Sequence, residues 1–161
     1  MVPTLLLIRH GIAEDGRPGL PDSERGLTPE GWEKTRAAMK GLVARGFVPD
    51  RGVSSPYRRA METMACLKEA AGTDFPVGYS GHFLPEGDPQ EADVWLRRLM
   101  TGAREDEVLG FTSHQPFLGS LLAQLTGRHL EIKKASCAVV DWQGSGWTLR
   151  RFFTPSELRG E

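Results

Sequence analysis

The sequence has few cysteines, no long apolar run and no excess of charge of either sign, and each shortage excludes a class of protein. Its two cysteines, Cys66 and Cys137, have apolar neighbours and no CxxC or Cys/His spacing. They therefore predict two buried thiols rather than a disulfide or a zinc site. The 20 basic and 21 acidic residues give a formal net charge of −1. Because this balance creates no overall field for nucleic acid or an acidic membrane, any anion site must be a local cluster.

Long apolar segments are also missing near the N-terminus. Residues 5–8 form an apolar run that no basic residue precedes. The run is too short for the core of a signal peptide or for a membrane span. We therefore expect a cytoplasmic protein with no nucleic-acid or membrane partner. With 161 residues, 39% hydrophobic and 25% charged, the chain fits one domain, which we expect to span residues 1–161.

Apolar runs typical of buried strands alternate with segments of helical periodicity. The predicted strands cover residues 4–8, 51–54, 77–80 and 108–112, and the predicted helices follow each of them. Residues 136–142 and 147–153 then predict a β-hairpin, followed by a frayed tail after Pro155. This order predicts an α/β fold: a single-domain three-layer sandwich with a mostly parallel central sheet, helices on both faces and an antiparallel edge hairpin.

Reactive side chains follow three of the predicted strands. Arg9 and His10 leave the first strand, Arg59 lies shortly after the second, and His114 follows the fourth. Since ligands of open α/β sheets bind beyond the carboxyl ends of the strands, these residues converge if the strands are neighbours. Two arginines and two histidines repel one another unless an anion lies between them, and guanidinium groups match phosphate oxygens. The pattern therefore predicts a phosphate site.

The same cluster predicts a nucleophile. Nearby arginines should lower the pKa of the histidines, because like charges disfavour a further proton. A neutral His10 keeps a lone pair that can attack phosphorus and form a covalent phosphoenzyme. Gly11 would let the backbone approach the ligand. Taken singly, Arg59 resembles a helix-face charge such as its neighbour Arg58, and His114 resembles a hydrogen-bonded core histidine. Their joint occurrence after three strands favours the site.

These residues resemble the motifs of the histidine phosphatase superfamily, which includes the cofactor-dependent phosphoglycerate mutases. Arg9-His10-Gly11 after an apolar strand is similar to its Arg-His-Gly signature. Residues 55–63, Ser-Pro-x-x-Arg-Ala-x-x-Thr, resemble its second motif, and residues 27–31 resemble its Leu-Thr-x-x-Gly helix start. Ser113-His114 resembles its late histidine. The motifs occur in order between residue 4 and about residue 120 of the chain.

The resemblance implies a role for each matching residue. It implies that His10 is the phosphorylated nucleophile and that Arg9, Arg59 and His114 hold the phosphoryl group, with help from the backbone N–H of Gln115. It also implies that no metal or other cofactor is needed. The stretch between Arg59 and His114 is short, as in the small SixA-type branch, whose members dephosphorylate phosphohistidine on proteins. The implied partner is a histidine-phosphorylated phosphorelay domain.

The general acid of the family has no clear counterpart. Many members place a glutamate in the loop before the third helix, where this chain offers Glu86 at an offset position. Glu86 is the candidate acid, and Glu14 and Asp15, in the first loop (residues 13–26), are alternatives. The simpler interpretation of each of these residues is a solvated loop carboxylate with no catalytic role. Imidazole leaves phosphorus more readily than an alkoxide does. An enzyme without a well-placed acid should therefore prefer phosphoramidates or aryl phosphates to sugar phosphates.

The leading interpretation is a metal-independent phosphatase acting on phosphohistidine in proteins. One alternative is a phosphatase of the same superfamily for a small phosphoester. Another is a non-catalytic phosphate-binding module, against which the nucleophilic His10 argues. A metal site on His10 and His114 is disfavoured because the adjacent arginines repel cations. His82, in a loop that could cover the site, is a further candidate substrate contact, whereas His129 should be structural or exposed.

Overall fold

The computed structural model describes residues 1–161, in which strands and helices alternate up to the final hairpin. The strands are β1 (Thr4–Arg9), β2 (Arg51–Ser54), β3 (Val77–Tyr79), β4 (Val108–Ser113), β5 (Cys137–Trp142) and β6 (Trp147–Phe153). The helices are α1 (Pro29–Ala44), α2 (Arg58–Ala71), α3 (Pro89–Met100), α4 (Phe117–Thr126) and α5 (Pro155–Leu158). Two short 3₁₀ turns, Asp22–Glu24 and Gly81–Phe83, interrupt the predicted loops.

The six strands form one sheet in the order β3-β2-β4-β1-β5-β6. β1 and β2 both pair with β4 in parallel, and β3 pairs with β2 in the same sense. β5 runs antiparallel to β1 and forms the edge hairpin with β6. The predicted mostly parallel sheet with an antiparallel edge hairpin is therefore confirmed. The strands that precede the predicted site residues, β1, β2 and β4, are neighbours at its centre.

Two apolar cores lie on opposite faces of this sheet. Leu5 and Leu7 of β1 face one core, which α3 and α4 complete, while Leu6 and Ile8 face the other, which α1, α2 and α5 complete. Successive side chains of a strand point to opposite faces, so a strand between two cores has no polar side. This explains the uninterrupted apolar run of the first strand and confirms helices on both faces.

The start of α1 is fixed against the end of β1. The Thr28 side chain accepts a hydrogen bond from the Gly31 N–H at 2.9 Å, which caps the helix. A Cβ at position 31 would lie 2.0 Å from the Ile12 carbonyl oxygen. Glycine is therefore required there, because the first turn of the helix touches the chain that leaves β1.

The C-terminal tail differs from the sequence expectation. Residues beyond Pro155 were expected to fray, but they form α5, which begins with a capping box between Thr154 and Glu157. Leu158 at its end is 2% exposed and packs into the core beside α1. The expectation is wrong because a capped turn and one buried leucine outweigh the polar composition of the tail.

The two cysteines are buried thiols, as the sequence predicts. Cys66 and Cys137 are free and buried. Burial raises the pKa of the Cys66 thiol to about 11 and also raises the pKa of Cys137. None of the helices is long and apolar enough to cross a membrane.

Candidate active site

The carboxyl ends of β1, β2 and β4 bring Arg9, His10, Arg59 and His114 together. Arg9 lies beside Ser113 in the parallel register of β1 and β4. The ring centroids of His10 and His114 are 5.3 Å apart. Both arginines are close enough to lower the pKa of His10 by charge repulsion. The structure thus assembles the predicted cluster, whose chemical role stays a prediction.

His10 is held as a neutral ring with one free nitrogen. The side chain is 6% exposed, and its Nδ1 lies 2.7 Å from the Gly11 carbonyl oxygen. A carbonyl oxygen only accepts, so Nδ1 carries the proton and Nε2 keeps its lone pair. Burial, and to a smaller extent the charges of Arg59 and Arg9, lower the pKa of His10 to about 3. The direction matches the sequence prediction, but burial is the main cause.

His114 is anchored by the second motif. It is 1% exposed, and its Nε2 lies 2.7 Å from Ser55 Oγ, which itself accepts a hydrogen bond from the Tyr57 N–H at 3.1 Å. The other ring nitrogen, Nδ1, is buried without a partner. Burial lowers the pKa of His114 to about 3, with added repulsion from His10 and Arg59. Ser55, a residue of the second motif for which the sequence indicated no role, thus holds the late histidine in place.

Arg59 is buried at the start of α2 and is only partly satisfied. The residue is 3% exposed. Its Nη1 donates to the Asp22 carbonyl oxygen at 2.8 Å and its Nη2 donates to Asp22 Oδ2 at 3.2 Å. The ring of Tyr57 lies below the guanidinium, with the centroid 5.1 Å from Cζ. The Nε–H is buried and has no acceptor.

Unpartnered buried side-chain atoms concentrate at this cluster. Four such nitrogen or oxygen atoms occur in the structure: Arg9 Nε, Arg59 Nε, His114 Nδ1 and Ser136 Oγ. The Arg9 guanidinium donates only from Nη1, to the Ile132 carbonyl oxygen at 2.9 Å. Ser136 is next to it, since the Arg9 N–H donates to the Ser136 carbonyl oxygen at 3.2 Å. Buried polar groups are normally paired, so a local concentration of unpaired ones indicates a ligand site.

Gly11 is needed for packing. A Cβ at this position would lie 1.9 Å from Thr35 Oγ1 of α1. The Gly11 N–H donates to Thr63 Oγ1 at 3.0 Å, and that hydroxyl donates to the Arg59 carbonyl oxygen at 2.8 Å. Thr63 therefore ties the first motif to the second. The N–H of Gly11 is already engaged, and the predicted ligand contact of this residue stays a prediction.

Gln115 precedes α4 at the edge of the cluster. Its side-chain Oε1 accepts a hydrogen bond from the Gly119 N–H at 2.7 Å. Its backbone N–H donates to no oxygen of the protein. This leaves the N–H free for the predicted contact with a phosphoryl oxygen. Gln115 also borders an open polar groove of about 750 Å³ between the start of α3 and one side of α4. The groove continues to His129, which is exposed, as expected.

The three loop carboxylates that are candidate general acids differ in their contacts. Glu86 is exposed and takes part in no hydrogen bond or ion pair. Glu14 accepts from the Gly26 N–H at 3.2 Å and pairs with Arg17. Asp15 is exposed. The roles of these three as acids stay predictions, and none bonds to a residue of the cluster.

Sequence reasoning missed Asp22, the carboxylate that does reach the cluster. It bonds to Arg59 from the first loop and lies close enough to His114 to affect its pKa. The available signal was Arg25, three residues along the loop, which donates to Asp22 Oδ1 at 2.8 Å. Hydrogen bonds from Arg25 and then Arg59 hold the pKa of Asp22 below its usual range. Asp22 is therefore ionised at neutral pH.

Three further basic residues differ in their relation to the cluster. Arg58 pairs with Glu62 at 3.1 Å and has a side chain 53% exposed, so it is the helix-face charge that was expected. His82 packs on Trp95, with ring centroids 5.7 Å apart, and its substrate contact stays a prediction. Lys134, which sequence reasoning missed, is exposed and adds to the charges that lower the pKa of His10.

Comparison with known proteins identifies the family. Residues 5–79 match the family model of the histidine phosphatase superfamily, branch 1. An uncharacterised protein of Picosynechococcus sp. is 33% identical over 135 residues, which are 81% of this chain and 80% of that protein. A 2,3-bisphosphoglycerate-dependent phosphoglycerate mutase of Parvibaculum lavamentivorans is 37% identical over 70 residues, 42% of this chain and 33% of the mutase. The chain belongs to the histidine phosphatase superfamily.

Solved structures place the fold within that family. The protein histidine phosphatase SixA in complex with tungstate superposes with a TM-score of 0.87 and 24% sequence identity, over 96% of this chain and 99% of the other. The chain therefore has the fold of the SixA-type enzymes, as its motifs and its length predicted. Membership in the superfamily supports a phosphatase activity.

Proposed function

We propose that this chain is a metal-independent phosphatase that forms a covalent phosphohistidine on His10 and acts on phosphohistidine in proteins. The observation that carries the proposal is the set of four unpartnered polar atoms, on Arg9, Arg59, His114 and Ser136. A phosphoryl group offers three acceptor oxygens and negative charge, which match two guanidinium N–H groups and neighbouring donors.

The nucleophile is Nε2 of His10. Burial keeps the ring neutral at physiological pH, and the Gly11 carbonyl fixes the proton on Nδ1. Attack forms the bond from Nε2 to phosphorus while the bond from phosphorus to the substrate nitrogen breaks. The leaving imidazole departs as a neutral ring when its other nitrogen carries a proton. Water then attacks phosphorylated His10, releasing inorganic phosphate and restoring the free ring.

The remaining groups stabilise charge on the transferring phosphoryl oxygens. Ser55 Oγ accepts from the Tyr57 N–H, and its own proton has no acceptor in the protein other than Nε2 of His114. The proton of a neutral His114 is then on Nδ1, the unpartnered nitrogen, which donates to the phosphoryl group. Preorganised donors of this kind act strongly because water is excluded from the site.

Two observations favour a phosphohistidine protein over a small phosphoester. The groove that begins at Gln115 is open and polar, whereas sites for small molecules are usually enclosed and mostly apolar. Asp22, the carboxylate bonded to the cluster, is ionised, so it cannot protonate an alkoxide leaving group. The protein histidine phosphatase SixA has the same fold. The phosphoglycerate mutase relative favours the second candidate, a phosphatase for a small phosphoester.

The first test is hydrolysis of p-nitrophenyl phosphate in excess chelator, with wild type and His10→Ala compared. We expect activity to survive chelation and to fall about 10³-fold or more in the variant, because His10 forms the intermediate. Tungstate binding by His10→Ala would show that the pocket remains folded. Loss of activity in chelator would contradict the metal-independent mechanism.

The second test separates the two candidate substrates. We expect turnover of a phosphoramidate to exceed that of glycerol phosphate by about 10²-fold, the usual contribution of a general acid. Similar turnover of both compounds would favour the phosphatase for small phosphoesters. A protein that hydrolyses neither these compounds nor a histidine-phosphorylated domain would be the non-catalytic phosphate-binding module.

A further inference from the structure

An acidic residue is bonded to the cluster but takes part in no step of the proposed mechanism. Asp22 contacts Arg59 through its main-chain oxygen at 2.8 Å and through Oδ2 at 3.2 Å. Arg59 is buried, whereas the Asp22 side chain is 56% exposed on a loop. A carboxylate bonded to an arginine that binds phosphoryl groups has one of two effects. It either competes with the ligand for the arginine or fixes the arginine in the orientation that binds the ligand. The geometry of the guanidinium distinguishes these cases.

Asp22 contacts one edge of the Arg59 guanidinium and leaves another edge free. The two hydrogen bonds to Asp22 come from Nη1 and Nη2, at the end of the side chain. The Nε–H points from the adjacent edge and is the buried donor without an acceptor. A guanidinium is planar, with its donors in fixed directions, so holding one edge fixes the direction of the other. Asp22 and an oxyanion therefore contact different edges of Arg59.

Arg25 holds Asp22 in turn. Its Nε donates to Asp22 Oδ1 at 2.8 Å, which is the carboxylate oxygen that Arg59 does not use. Its Nη1 donates to the Glu14 carbonyl oxygen at 2.8 Å, across the first loop. The Arg25 side chain is 23% exposed. The two carboxylate oxygens of Asp22 thus join a loop arginine to the buried arginine of the cluster.

We infer that Asp22 is a positioning residue of the oxyanion site, which fixes Arg59 with its Nε edge toward the ligand, and that Arg25 positions Asp22. The inference rests on the proposed function, since it takes a phosphoryl group as the ligand of Arg59. It adds a pair of residues that act through Arg59 without touching substrate. It also explains why an exposed loop carries a carboxylate between two arginines.

The test measures equilibrium binding of tungstate by calorimetry, which needs no turnover. We expect Asp22→Ala to raise the dissociation constant about 10-fold, the effect of losing one good hydrogen bond to a charged group. Asp22→Asn keeps one acceptor oxygen for Arg59 and should restore part of the affinity. Glu24→Ala is the matched control, because it removes a charge from the same exposed 3₁₀ turn without a contact to Arg59. It should bind as wild type does.

A double-mutant cycle tests the role of Arg25. We expect Arg25→Ala to weaken tungstate binding about 3-fold and to add nothing in the Asp22→Ala background, because both changes act along one chain of contacts. Additive effects would overturn the role of Arg25. Tighter binding by Asp22→Ala would show that Asp22 competes with the ligand, which overturns the inference.

Two further outcomes are distinguishable. If Asp22 only stabilised the fold, the variant would show a lower Tm and a lower binding stoichiometry with an unchanged dissociation constant, contrary to the inference. If wild type bound no tungstate, the proposed function would fail and the inference would fail with it. Binding by wild type that Asp22→Ala leaves unaltered overturns the inference alone.

Discussion

Two loops border the cluster of arginines and histidines, and they contact it in different ways. The first, residues 13–26, supplies Asp22 to the buried Arg59 and is closed by hydrogen bonds from Arg25 to Asp22 and to the Glu14 carbonyl oxygen. The second, residues 81–88, is attached through Phe83, whose ring is buried in the core and whose carbonyl oxygen accepts a hydrogen bond from the Ser113 hydroxyl. Glu86 of this loop remains exposed.

The difference shows what gives a loop carboxylate a role. Both loops are polar and both carry acidic residues, so composition does not separate them. Asp22 has two arginine partners that orient it and keep it ionised. Glu86 has no partner, so water sets its conformation. An acidic residue affects the cluster only when the anchors of its loop direct it there, and the following predictions test this contrast.

Arg59→Ala should remove the contact between the first loop and the cluster, and it should reduce activity more than the other substitutions that compare the two loops. It removes the Nε–H proposed to bind the phosphoryl group and leaves Asp22 without its buried partner. We expect kcat/KM for p-nitrophenyl phosphate to fall about 10²- to 10³-fold, as for other preorganised donors. Arg58→Ala is the control, because this neighbouring side chain is 53% exposed and pairs with Glu62. A change within about 2-fold is expected there. Equal losses would mean that general charge at the start of α2, rather than the contact, matters.

Acid should destabilise the folded protein through His10 and His114, the two buried histidines of the cluster that both loops border. Burial lowers the pKa of His10 and of His114 from 6.5 to about 3. As the pH falls through 6.5, the two histidines bind protons in the unfolded chain but stay neutral in the folded protein. The free energy of unfolding therefore has its full value above this pH and decreases below it. The expected slope is up to about 1.4 kcal/mol per pH unit for each histidine. Glutamates with a lowered pKa, such as Glu14, begin to contribute only near and below pH 4.5.

Urea unfolding at about pH 7 and about pH 5 measures this slope. His10→Gln removes one titrating group and should lose less free energy of unfolding between the two pH values than wild type does. An equal loss in the variant would assign the acid sensitivity to groups outside the cluster.

The four central residues could be predicted because they lie at the ends of buried strands or shortly after them. Apolar runs fix the strands, and parallel strands end at one edge of the sheet, so Arg9, His10, Arg59 and His114 converge provided that their strands are neighbours. The sequence also shows the charges near His10. It does not show how completely the ring is buried, so it reveals only like-charge repulsion as a cause of the lowered pKa and misses the larger effect of burial.

Asp22 and the C-terminal helix could not be predicted, because their contacts are distant in sequence and lie outside any periodic pattern. Asp22 is 37 residues from Arg59 and lies in a loop with no apolar repeat. Leu158 is buried only because α5 packs closely on α1, where a Cβ at Gly41 would lie 1.7 Å from the Leu158 carbonyl oxygen. Such contacts depend on the completed fold, while local sequence shows only polar residues.

Glu86→Gln should have the smallest effect and completes the contrast between the loops. As a general acid, Glu86 would contribute about 10²-fold or more to turnover of an alkyl phosphate and little to that of a phosphoramidate. Because its carboxylate is exposed and unpaired, we expect both rates to change by less than about 2-fold. Asp22→Asn should instead raise KM for both substrates, since Asp22 acts through Arg59. A selective loss of alkyl phosphate turnover in Glu86→Gln would establish Glu86 as the acid, and the second loop would then move toward the leaving group during the reaction.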